Sequence, residues 1–378
     1  MQVGLLLSAV GLIISANGAR ASQITYTVDP NAPVSATNFQ TIIAAVNAET
    51  GGNTYTINVS PGTYLNDFPV INQPSDIEAT GLGVILQATV TNDQGIIETF
   101  APLTVNGLTI TGAMASAGSG GPAAAIRDHN DGGGNLIVSN SLIENSQNGV
   151  ETSSASGQTH LEHVTISNDN FVGDGSSLGP GHAVYIGDAA TADIINSTFC
   201  GTVSGHDIKS RALSTTVTGS TMYIAATGTV GLGCSTAGSA SAGIDLPNGG
   251  VGVIQNDTII QGTGNQNGAL IIYGGESPFT FASLDVSGTM FMGDGAPSSI
   301  GVNVIGGCPQ MPLVTGTATA NFQNLGTNVT PGCTATTSPT PPTPVAEPRA
   351  LVLLLTALFL TGVARRSYRM KGVPQQSA

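Results

Sequence analysis

The sequence predicts an all-β solenoid, with short parallel strands wound coil upon coil, and three observations carry that expectation. First, a six-residue pattern recurs: VNGLTI from Val105, VSNSLI from Val138, LEHVTI from Leu161, IINSTF from Ile194, VTGSTM from Val217, IQNDTI from Ile254 and VSGTMF from Val286. Its starts lie 23 to 37 residues apart, the spacing of a stacked repeat unit that cannot bury its apolar face alone. Second, another short strand lies between copies: AAIRDH from Ala124, NGVETS from Asn148, HAVYIG from His182, HDIKSR from His206, AGIDLP from Ala242 and LIIYGG from Leu270. Val, Ile and Thr alternate with polar residues at the period of strands, and no helical periodicity interrupts them. Third, 51 glycines, no tryptophan and 8% charged residues describe neither a helical bundle nor a doubly wound enzyme.

The elements follow in order. Residues 1–21 read as a secretory signal: an apolar core from Val3 to Ile14 too short to span a bilayer, then Ala19 and Ala21 as small residues for a signal peptidase. Its first residues carry no Lys or Arg. Residues 22–100 form an N-terminal cap and the first coils. Asn38 is the expected N-cap of a short helix with Ile42, Ile43 and Val46 on one face, and the strand TYTINV and the turn SPGTY follow it. Residues 101–333 carry the repeat. Residues 334–346 are a Thr/Pro linker, stiff and extended. Residues 347–371 hold the apolar run ALVLLLTALFLTGVA and the basic cluster RRSYRMK, a stop-transfer pattern expected to form a C-terminal hydrophobic helix, and 372–378 are a tail.

Two strand types per coil, separated by Gly/Ser/Asn turns, resemble the right-handed parallel β-helix of the pectin-lyase-like superfamily, with its PbH1-type repeats. The helix followed by TYTINVSPGTY resembles the capping start of such proteins, where the helix covers the open end of the core. The resemblance covers roughly residues 38 to 300 and implies architecture only, because that fold hosts lyases, hydrolases, epimerases, adhesins and tailspikes. The C-terminal order of parts resembles the PEP-CTERM sorting signal of Gram-negative envelope proteins. Here the motif reads VAEP, with Ala346 at the family's first proline. That resemblance implies an exported protein of the cell envelope or outer surface, processed by an exosortase-type membrane protease. The other reading of the same segment is a permanent membrane anchor through the C-terminal helix.

Charge singles out one face. Of nine Lys and Arg residues, Arg20 lies in the leader and Arg349, Arg365, Arg366, Arg369 and Lys371 in the tail, which leaves Arg127, Lys209 and Arg211 in the body. A net charge of −14 disfavours nucleic acid, whose phosphates would be repelled. Aligning the second strand type on Ile126, Val150, Val184, Ile208, Ile244 and Ile272 sends those side chains inward. The next residues then form an outward column: Arg127, Glu151, Tyr185, Lys209, Asp245 and Tyr273. Asp207 and Arg211 flank Lys209 on the same expected face. His182 and His206, each after a glycine, should stack in adjacent coils with inward parity. His160, His163 and His129 read as structural, surface or loop positions.

The column suits a polysaccharide. Proton abstraction from a uronate, by a lyase or an epimerase, needs cations for the developing enolate charge and a nearby base. Lys209, Arg211 and Tyr185 are the candidate catalytic residues, with Arg127, Glu151, Asp207, Asp245 and Tyr273 as substrate contacts. Hydrolysis would need Glu151 and Asp245 as paired carboxylates, yet they are separated by about 14 Å at the strand spacing. The alternatives are a non-catalytic contact with an exopolysaccharide matrix and a purely structural surface scaffold. No cofactor is implied with certainty. Asp-rich turns at 128–134 and 168–175 admit Ca²⁺ or simple turn chemistry, and neither matches the twelve-residue Ca²⁺ loop. Cys200, Cys234, Cys308 and Cys333 suit an oxidising compartment. Of the three possible pairings, sequence neighbours favour Cys200–Cys234 and Cys308–Cys333. No CxxC spacing supports a metal site.

Overall fold

The computed structural model describes residues 22–31, 38–50, 52–90, 94–115, 122–129, 134–152, 161–175, 181–226, 238–262, 268–276, 279, 282–293, 300–305, 313–318 and 327–329. Residues 1–21, the linker 334–346, the apolar segment 347–371 and the tail 372–378 lie outside the described residues, as do Cys234, Cys308 and Cys333. Among the described residues no helix is long and apolar enough to cross a membrane.

The chain is an all-β solenoid. Among the described residues the strands form a 19-stranded and a 10-stranded sheet, and their pairings are parallel. Each repeat supplies three strand columns rather than two. The recurring motif is not one strand but the bend between two columns of the long sheet, as in Leu103–Asn106 followed by Thr109–Thr111. The strands of the short sheet, such as Ala124–Asp128, Asn148–Thr152, Val184–Ile186, His206–Ser210 and Ala242–Leu246, lie between successive bends.

Register explains why the motif recurs. Val105 pairs with Val138, Val138 with Ile166, Ile166 with Ile194, Ile194 with Val217, Val217 with Ile254 and Ile254 with Val286. The copy read from Leu161 is therefore five residues out of phase, and the true copy is ISNDNF from Ile166. Both stretches alternate apolar and polar residues, so the pattern alone accepts either. The residue two places after each of these is Gly107, Asn140, Asn168, Asn196, Gly219, Asn256 or Gly288, with φ between 49° and 77°. That is the left-handed region, which Gly enters freely and Asn tolerates. A chain that must turn sharply at every bend therefore repeats Asn or Gly there.

The next position supplies a polar ladder that runs up the bend. The N–H of Leu108 donates to Ser141 Oγ (3.3 Å), Ser141 N–H to Asp169 Oδ1 (2.7 Å) and Asp169 N–H to Ser197 Oγ (3.2 Å). Ser197 N–H then donates to Ser220 Oγ (3.1 Å) and Ser220 N–H to Asp257 Oδ1 (2.7 Å). These are backbone donors that leave the strand ladder at the bend and would otherwise be buried unpaired. Burial pushes the Asp169 and Asp257 carboxyls up to about 7, against the lowering effect of the N–H bonds they accept.

The inward residues form one continuous apolar core that includes Ile77, Leu86, Ile126, Val150, Ile166, Ile208 and Ile254, all fully buried. Phe171 and Phe199, register partners in adjacent coils, stack at 4.9 Å. Helix α1 spans Phe39–Ala48. Asn38 caps it by accepting the Thr41 N–H at 2.8 Å, and Phe39, Ile42, Ile43 and Val46 join the core. Asp67 accepts the orphan N–H groups of Phe39 and Gln40 at 3.0 and 2.9 Å. Cys200 is held in a disulfide.

Candidate functional site

The short sheet sets the outward column. Its register runs Glu98, Arg127, Glu151, Tyr185, Lys209 and Asp245 in successive coils. Five residues of the expected column therefore align as read. Tyr273 does not. Ile244 pairs with Ile271 and Asp245 with Ile272, so Tyr273 falls beside Leu246 and is fully buried. Its hydroxyl donates to the Gly250 carbonyl, and burial pushes its pKa up. The strand Ala269–Tyr273 reads ALIIY, apolar at every position, so alternation could not fix its phase.

Arg127 and Glu151 form a pair of their own. Arg127 Nη2 lies 2.9 Å from Glu151 Oε2, with the side chains only 9% and 15% exposed. Arg127 also donates to the Pro122 carbonyl, and Asn148 Nδ2 donates to the same Glu151 oxygen. His129, in the loop that follows, stacks on Phe100 at 4.7 Å.

Lys209 and Arg211 are joined by a residue from a distant loop, Glu276. Lys209 Nζ donates to Glu276 Oε1 at 3.0 Å and lies 3.5 Å from Asp245 Oδ2. Arg211 donates to Glu276 Oε2 through Nη2 at 2.6 Å and Nε at 3.2 Å. Arg211 Nη1 also bonds the Tyr185 hydroxyl, with Cζ 5.2 Å from the ring centroid. Partial burial works to raise the Glu276 pKa, but hydrogen bonds from Arg211 and Lys209 outweigh it and hold the carboxyl below its usual value. Asp245 is raised by burial, which exceeds the opposing pull of Lys209. Glu276 lies outside both strand patterns, in the loop GGES, so periodicity carries no signal for it.

His182 and His206 stack as expected, 5.1 Å apart and within 5° of parallel. They do not belong to the apolar interior. His182 stacks on Tyr185 at 5.4 Å, and His206 Nδ1 lies 3.7 Å from Asp245 Oδ2, so both border the cluster. His206 opens its strand and His182 lies two residues before Val184–Ile186, and alternation counted back from Ile208 and Val184 does not hold at either. Burial, reinforced by neighbouring positive groups, pushes His182 down to about 2 and His206 down to about 4. Both rings are neutral near pH 7, so the His206–Asp245 approach is not an ion pair. His182 Nδ1 accepts the His206 N–H at 3.1 Å, which places the His182 proton on Nε2 and leaves no free lone pair there for a base.

Asp207 was expected on the open face and is instead fully buried. Thr202 Oγ donates to its Oδ1 at 2.6 Å, and burial pushes the carboxyl up to about 7. The equivalent positions in neighbouring coils, Ala183 and Gly243, also face core residues, so alternation counted back from Ile208 fails at Asp207.

The Asp-rich turns are occupied as turn acceptors. Asp169 takes N–H groups from Ser141 and Ser167, and Asp174 takes that of Ser146. Residues 130–133 of the other turn lie outside the described residues. Among the described residues no group of three or more His, Cys, Asp or Glu is arranged to hold a metal ion.

No protein-family model matches the chain, and no curated protein matches it.

Proposed function

We propose that this chain is an exported envelope or matrix protein of a Gram-negative bacterium that binds polysaccharide through the Tyr185, Lys209, Arg211 and Glu276 cluster. The secretory leader, the PEP-CTERM-like tail and the disulfide at Cys200 support export. In this reading α1 covers the first coil, and an exosortase-type protease removes the hydrophobic tail that first holds the chain in the membrane.

The observation that carries the binding reading is the half-exposed Glu276 spanning Lys209 and Arg211. Charged donors and a carboxylate acceptor side by side suit the paired hydroxyls of a sugar. Binding is favoured over β-elimination or epimerisation. Those reactions need cations free to meet the developing enolate charge, whereas Lys209 and Arg211 are neutralised by Glu276 and Asp245. The paired state of Arg127 with Glu151 favours a second reading for the remaining coils, a structural scaffold that presents this one contact face.

The test is to incubate the purified protein with neutral and acidic polysaccharides. Binding is followed together with ultraviolet absorbance of unsaturated uronate products. Binding without such products is expected. Product formation would move the reading to a lyase, and binding to nothing would leave the scaffold. Protease added to intact spheroplasts should digest the solenoid, and its protection would refute export.

A further inference from the structure

We propose that Glu276 is the resident occupant of an anion seat, and that an external carboxylate binds by taking its place. The proposal rests on the binding reading above and adds what controls the site. Lys209 and Arg211, two residues apart in one strand, point three N–H donors at one carboxylate: Nζ to Oε1, Nη2 and Nε to Oε2. That forked arrangement is how cations grip a carboxylate rather than a hydroxyl.

The donors are held from behind. Arg211 is tied to the Tyr185 hydroxyl and lies against its ring, and Lys209 is drawn to Asp245. They stay aimed when Glu276 leaves. The occupant is held less closely. Its side chain is 44% exposed, against 13% for Lys209 and 20% for Arg211. Its backbone is anchored separately, through its N–H to the Pro247 carbonyl at 2.8 Å. Rotation of the Glu276 side chain alone therefore opens the seat, with the loop in place. A tethered carboxylate acts at high effective concentration, so the wild-type protein answers carboxylate ligands weakly.

Glu276→Ala and Glu276→Gln test this in two assays; the glutamine variant keeps the side chain's size should the alanine variant fold poorly. In the first, acetate is compared with chloride at equal ionic strength and pH. Acetate should raise the Tm of Glu276→Ala by about 2 °C or more and leave the wild type unmoved. In the second, alginate supplies carboxylates and dextran supplies none. Both variants should bind alginate about tenfold more tightly or better than wild type, with no gain for dextran, which loses the Glu276 acceptor. A folded Glu276→Ala with no acetate response, or variants that gain equally for dextran, overturns the seat. Acetate rescue with no polysaccharide bound by any form upholds the seat and removes the saccharide reading.

Discussion

The backbone N–H of Ser220 donates to the carboxyl of Asp257 in the next coil at 2.7 Å, and Ser141 makes the same bond to Asp169. Each bond ties one bend to its neighbour through a buried acid. Burial favours the neutral form of these acids, while the N–H bonds they accept favour the charged form.

A pH dependence follows. Asp169, Asp207 and Asp257 are pushed by burial to about 7 in the folded chain, whereas an unfolded aspartate titrates near 3.9. The folded state therefore binds protons more tightly than the unfolded one. The stabilisation is fully present below about 4, declines as pH rises, and is lost above about 7. The Tm should be higher at pH 4.5 than at pH 8. Asp257→Asn keeps the acceptor without the charge, so it should flatten the profile; an equally steep profile in that variant would remove Asp257 as a cause.

The bends predict an asymmetry between substitutions. Asn196 and Gly219 sit at φ 49° and 65° in adjacent coils. Asn196→Gly should cost little. Gly219→Val should cost about 1–3 kcal/mol in urea unfolding, since a branched residue is strained there. A Cβ at Gly219 would also lie 2.4 Å from Asn196 Oδ1. Equal midpoints for the two variants would contradict the left-handed assignment.

The cluster predicts unequal roles for its cations. Lys209→Ala leaves the buried Asp245 without its cation and should cost about 1–3 kcal/mol. Arg211→Ala removes a hydrogen-bond partner from the half-exposed Glu276 and the Tyr185 hydroxyl and leaves Lys209 beside Asp245, so it should cost about 1 kcal/mol or less. Ile208→Asp puts a charge in the core and should prevent folding of its coil. Circular dichroism against urea ranks the three.

Reduction should lower stability by about 2–4 kcal/mol at the Cys200 disulfide. Non-reducing peptide mapping is expected to join Cys200 to Cys234. A Cys200 peptide recovered with another cysteine would correct the pairing but not the bond.

The sequence alone determined the repeat and the outward column, but not the third strand of each coil. Alternation around Ile126, Val150, Val184, Ile208 and Ile244 placed Arg127, Glu151, Tyr185, Lys209 and Asp245 in one column, because the aligned apolar residue of each strand faces the core and the next side chain points the other way. The recurring motif was legible too, but not that its Asn or Gly marks a bend between two strands rather than a position within one. The all-apolar ALIIY hid the phase of Tyr273, and LEHVTI imitated the bend that ISNDNF makes, because a two-residue period has no origin of its own. Only the tertiary structure turned Asp207 inward to meet Thr202 and brought Glu276 back to Arg211 across 65 residues. Those contacts depend on which loop lies above which coil, and chain connectivity around the solenoid, not any local period, decides that.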